Sequence, residues 1–182
     1  MFNMKKLAVL FLSTLAISSL SYAETTKNGV TVSRCYYDYD KVDFCTDDKM
    51  KAYAKVMKTR KPNFDKDKIL YIFEEDKSLM DEPEPYYKKY YRMVVINPKN
   101  KLVVPAKFGI TEAKDYSGNP IPVNNKGELL EFDFNVNSNK FCFRGNVNGY
   151  RISYIYDNTP YCFDYEKFSS DKYRSFMMET NL

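Results

Sequence analysis

The chain lacks histidine and tryptophan, and its six glycines are scattered over 182 residues. Without histidine, Ser-His-Asp and Cys-His catalytic sets cannot be built, nor can the usual histidine zinc sites. The glycines form no phosphate-binding loop. Cofactor enzymes of the common kinds are therefore not expected, and neither is a cofactor or a metal. Long apolar runs are also missing. The longest, Leu7 to Leu12 fading through Leu15-Ala16-Ile17, falls short of the about 20 residues that a membrane helix needs.

That run does have the form of a secretory signal over residues 1–23. Lys5 and Lys6 precede it, and Ser21-Tyr22-Ala23 closes it with small residues at the two positions a signal peptidase inspects. Met4 begins a more usual signal (Met-Lys-Lys) than Met1 does, so either methionine can be the start. Cleavage after Ala23 leaves residues 24–182 as a single domain with no membrane-spanning segment. It also removes two lysines and no acid, taking the formal charge from +4 to +2. Such a balance argues against nucleic acid as a partner. The expected location is the periplasm of a Gram-negative bacterium, with release to the outside as the variant.

In that oxidising setting Cys35, Cys45, Cys142 and Cys162 are expected to pair as disulfides. Intervals of 9 and 19 residues within the two cysteine pairs do not suit a four-cysteine zinc site, which needs close CxxC pairs. Nearest-neighbour bridges, Cys35–Cys45 and Cys142–Cys162, close the shortest loops. A flat meander opposes the second, because its cysteines would stand two strands apart, about 10 Å, against the about 7 Å a disulfide tolerates. Either the last strand swings beside Cys142, or the bridges run Cys35–Cys162 and Cys45–Cys142.

What the chain has in quantity is 17 tyrosines and 13 phenylalanines, residues that favour strands and, for tyrosine, interfaces. One helix is predicted over 47–60: Thr46 caps it, Asp47 and Asp48 face its positive end, and Met50, Tyr53, Ala54 and Met57 share one side. Pro62 stops it. The rest reads as strand: 29–34, 69–73, 86–97 and 102–104, with 24–28 frayed and 115–127 a long loop. A C-terminal meander follows over 130–136, 140–147, 150–156 and 161–168, with Asn148-Gly149 as its clearest turn. The expected fold is α+β, one N-terminal helix on a curved antiparallel sheet of six to eight strands, pinned by two disulfides.

Tyr86, Lys88, Tyr90 and Arg92 alternate onto one strand face and form the candidate binding surface, since tyrosine and arginine are common interface anchors. The competing reading is an edge strand covering the core. Glu74 to Glu84 is dense in acids and reads as a solvated loop rather than a catalytic pair, and it lacks the spacing of a calcium loop. Arg144 is expected to pair with Asp164 or Glu166.

The expected function is a non-enzymatic domain that binds an envelope or secreted protein, an inhibitor or immunity protein being its most concrete form. The alternative is a small-molecule or glycan binder with a tyrosine-lined concave sheet. A hydrolase with two carboxylates comes third.

Overall fold

The computed structural model describes residues 24–37, 42–76, 89–148, 155–167 and 174–178. The signal segment, Tyr86, Lys88 and the Gly149 turn lie outside them. The helix forms where its local signals place it, as α1 (Asp47–Thr59). Thr46 Oγ accepts a hydrogen bond from the Lys49 amide at 3.5 Å. Met50, Tyr53, Ala54 and Val56 turn inward.

The first two strands are β1 (Thr25–Lys27) and β2 (Val30–Val32), paired antiparallel. Residues 25–27, expected to fray, are thus part of a hairpin. Its turn is Asn28-Gly29, both at positive φ (54° and 78°), the primed geometry that Asn-Gly favours. Next come β3 (Ile69–Glu75), β4 (Tyr90–Asn97), β5 (Leu102–Pro105) and β6 (Gly109–Thr111). They are followed by β7 (Glu131–Phe134), β8 (Lys140–Arg144), β9 (Asn146–Asn148), β10 (Tyr161–Lys167) and β11 (Arg174–Met178).

The α+β class holds, but the strands divide into two sheets. Seven make a mixed sheet in which β2 and β5 run parallel. β4 is its hub: β3 lies along one edge, and β5 and then β6 lie along the other. The remaining four form a small antiparallel sheet ordered β11-β10-β8-β7. One face of the large sheet (Val94, Ile96, Ile69, Val103) packs on Met50, Tyr53 and Val56 of α1. The other (Met93, Val95, Val104, Ile110) packs on Phe141, Phe143, Phe163 and Phe176 of the small sheet. A strand covered on both faces loses its alternation, which is why Met93-Val94-Val95-Ile96 reads as a continuous apolar run.

The expected meander is overturned at Gly145. There the chain leaves the small sheet, and β9 pairs with β6 of the large one. A Cβ at Gly145 would stand 2.7 Å from the Thr111 carbonyl oxygen, so the crossing requires glycine. Ile155 and Tyr156 carry no strand, and β10 takes the place beside β8 that 150–156 was expected to fill. Cys142 and Cys162 become direct register partners. The bridges are Cys35–Cys45 and Cys142–Cys162, with Cα atoms 5.1 and 4.1 Å apart.

Candidate functional site

Tyr90 and Arg92 do share a face of β4, as the alternation predicts, but that face is interior. They are 0% and 2% exposed, and the Arg92 guanidinium lies 4.9 Å from the Tyr90 ring centre. The physical reason is the hub position of β4, with neighbours on both edges and packing on both faces. The edge strand is β3 instead. Tyr90 also dictates its neighbour. A Cβ on Gly109 would meet the Tyr90 ring at 2.1 Å, and a fully buried ring has nowhere to go. Gly109→Ala should therefore destabilise the fold by about 1–3 kcal/mol, read as a lower midpoint in urea with an unchanged slope. A neutral result would mean that the ring does not occupy that space.

The polar groups around this pair belong to the sheet. Thr111 is the register partner of both Tyr90 and Asn146. The Asn146 amide oxygen accepts from the backbone of Tyr156 (2.9 Å) and Lys114 (3.5 Å), and its nitrogen donates to the Lys114 carbonyl (2.9 Å). Asn146 thus clamps the base of the 112–129 segment to the sheet.

That segment contains no long strand, as expected, yet its turns are built throughout. Ala113 donates to Leu129 O (2.6 Å), Ile121 to Ala113 O (2.9 Å) and Val123 to Glu128 O (2.7 Å). Ala113, Val123 and Tyr156 form a small core of their own against Ile121. At the tip the Asp115 carboxylate accepts from the amides of Ser117 (2.9 Å) and Asn119 (2.8 Å) and from Asn119 Nδ2 (2.9 Å). These bonds hold its carboxyl below the usual carboxylate range. Gly118 supplies the positive φ of 82° that lets the turn close. Carried on this braced tip is Tyr116, 92% exposed. Among the described residues only Tyr36 and Val136 are other large exposed hydrophobics, at 57% and 37%. The Tyr36 hydroxyl is tied to Asp43 at 2.6 Å.

A second concave place lies beside Cys142, a cleft of about 260 Å3 lined by Glu131, Asp133, Arg144 and Pro160 among others. Arg144 pairs there with Glu131 (3.4 Å) and donates to the Tyr156 hydroxyl (3.4 Å), rather than to Asp164 or Glu166. Glu131 and Asp133 stand side by side on one strand. A glycosidase pair must instead face across the scissile bond, and this wall has no opposing acid among its described lining residues.

Of the acid run, Glu75 is no loop residue. It ends β3 and forms an ion pair with Lys49, whose ammonium also donates to the Asp43 carbonyl (2.9 Å) and lies 5.7 Å from the Phe44 and Phe73 rings. Burial first and Glu75 second push the Tyr53 phenol upward. This cluster joins α1, the Cys35–Cys45 loop and β3. The Cys35 and Cys45 sulfurs and an Asp43 carboxylate oxygen lie within 4.8 Å of one another, but both sulfurs are spent in the disulfide and offer no thiolate to a metal.

No family model, curated protein or solved structure matches this chain. Fold and site together define a disulfide-pinned α+β scaffold that presents an aromatic side chain on a fixed loop. Sequence reasoning passed over Tyr116. The signal was present in Asp115-Tyr116-Ser117-Gly118-Asn119, a string of residues that brace turns through their own side chains.

Proposed function

We propose that this protein is an exported, non-enzymatic binder of another protein in the bacterial envelope, in the manner of an inhibitor or immunity protein, and that Tyr116 is its principal anchor. The observation that carries this reading is a tyrosine almost wholly exposed on a loop whose backbone is tied by its own hydrogen bonds. A braced backbone avoids the loop-ordering part of the cost of association, and tyrosines buried on binding are frequent hot spots. Two disulfides are compatible with an exported chain, and no helix among the described residues is long and apolar enough to cross a membrane.

The test is native mass spectrometry of the protein drawn from periplasmic extract, followed by titration against the partner it carries. A stoichiometric complex is expected. Tyr116→Ala should weaken it by roughly 30-fold or more, equivalent to about 2 kcal/mol, with an unchanged melting temperature. Unaltered affinity in that variant, or the absence of any protein partner, sinks the proposal.

A further inference from the structure

The outward side of α1 is a lysine stripe. Lys51, Lys55 and Lys58 are all exposed, and steps of four and three keep them on one side of the helix over about 10 Å. From Lys49 to Phe64 the chain carries six basic residues and no acid, and Arg60 and Lys61 extend the exposed charge past the helix end. Lys51 has only a loose neighbour in Asp48, 3.7 Å away with both side chains mostly in water. Lys55 and Lys58 have no ion-pair partner among the described residues. Like charges three and four apart weaken a helix, so the stripe costs α1 a little stability. A shallow groove of about 390 Å3 runs beside it, lined by these lysines with Asn28, Ala54 and Thr59.

The chemistry of the stripe selects its partner. Lysine is depleted from protein interfaces, where aromatic residues and arginine are enriched, and no aromatic side chain lines the groove. The helix cannot insert into a bilayer, since its apolar side is occupied by the core. What is left is adsorption by charge at headgroup level. We propose that the Lys51–Lys55–Lys58 face of α1 docks on an anionic lipid bilayer, its ammonium groups lying among the headgroup phosphates. This surface is independent of Tyr116 and stands whether or not a protein partner exists.

The test is co-sedimentation of the exported protein with vesicles of phosphatidylcholine containing about one-third phosphatidylglycerol, against vesicles of phosphatidylcholine alone. Binding to the anionic vesicles alone is expected, fading as salt shortens the screening length. Each lysine near such a surface is worth about a fivefold change in partition. The triple variant Lys51→Gln, Lys55→Gln, Lys58→Gln should therefore lose roughly 100-fold, while its melting temperature changes little, as expected of surface substitutions. The matching triple change to arginine should keep binding. Equal binding to neutral vesicles, or a triple glutamine variant that binds normally, overturns the proposal. Capture of soluble inorganic polyphosphate without any vesicle binding overturns it as well, and assigns the stripe to a soluble anion.

Discussion

Truncating Phe141 to alanine is expected to remove about 3–5 kcal/mol of stability, out of the roughly 5–15 kcal/mol that a domain possesses. Phe141 is fully buried on β8, at the centre of the small sheet's inner face. Its ring lies 5.7–6.1 Å from those of Phe132, Phe134, Phe143 and Phe176. Phe143 shares its strand, Phe132 and Phe134 lie on the neighbouring β7, and Phe176 reaches it from β11, two strands away in the same sheet. Alanine here leaves a cavity walled by rings that also support one another, so the site cannot simply collapse. A melt followed by circular dichroism should show a midpoint lower by roughly 6–20 °C. Phe141→Leu, which keeps most of the volume, should cost clearly less. A shift of only a degree or two for the alanine variant would mean that these rings do not close around Phe141.

Replacing Cys142 and Cys162 together by serine is expected to cost about 3 kcal/mol, the loop-closure value for a bridge of this span. The bond joins residues 20 apart in sequence that face each other directly between β8 and β10. It is the covalent tie across the excursion in which the chain crosses to the large sheet at β9 and returns. The Cys35–Cys45 bridge spans only 10 residues and should contribute somewhat less through the unfolded chain. Its removal acts on a different place, since it holds Tyr37, Val42 and Phe44 in the layer beside α1. Denaturant melts of the two double variants should therefore both fall, the Cys142–Cys162 variant further. The reverse order would show that the helix-side layer depends on its bridge more than the small sheet does.

Elements set by neighbouring residues were readable from the chain. α1 has its cap at Thr46, its acids in the first turn and its inward face at helical spacing, all within 14 residues. β7 alternates Phe132 and Phe134 against Glu131 and Asp133 because one side faces the core and the other water. The hairpin from β4 to β5 turns at residues 98–101 for similarly local reasons. The 28–29 hairpin was equally readable, but three polar residues made its first strand look frayed.

The candidate site was less legible. Tyr90 and Arg92 look like surface residues by type, and only the strands gathered around β4 make them interior. Tyr116 was legible as part of a turn, but nothing local says that Asn146, thirty residues on, anchors the base of that turn.

By itself the sequence determined the composition of the possible chemistry. A chain without histidine and with four cysteines was already limited to a site without the common histidine-based catalytic sets. It also determined the helix and most strand positions, because caps, turns and alternation act over a few residues. Tertiary structure decided which strands meet. The sequence could show that Cys142 and Cys162 would be too far apart in a flat meander, but not how the chain resolves the conflict. That depended on Gly145, where absence of a side chain lets the backbone pass against Thr111, and on burial of both faces of β4. These are contacts between residues far apart in sequence, whose energy exists only once the two sheets have closed on each other.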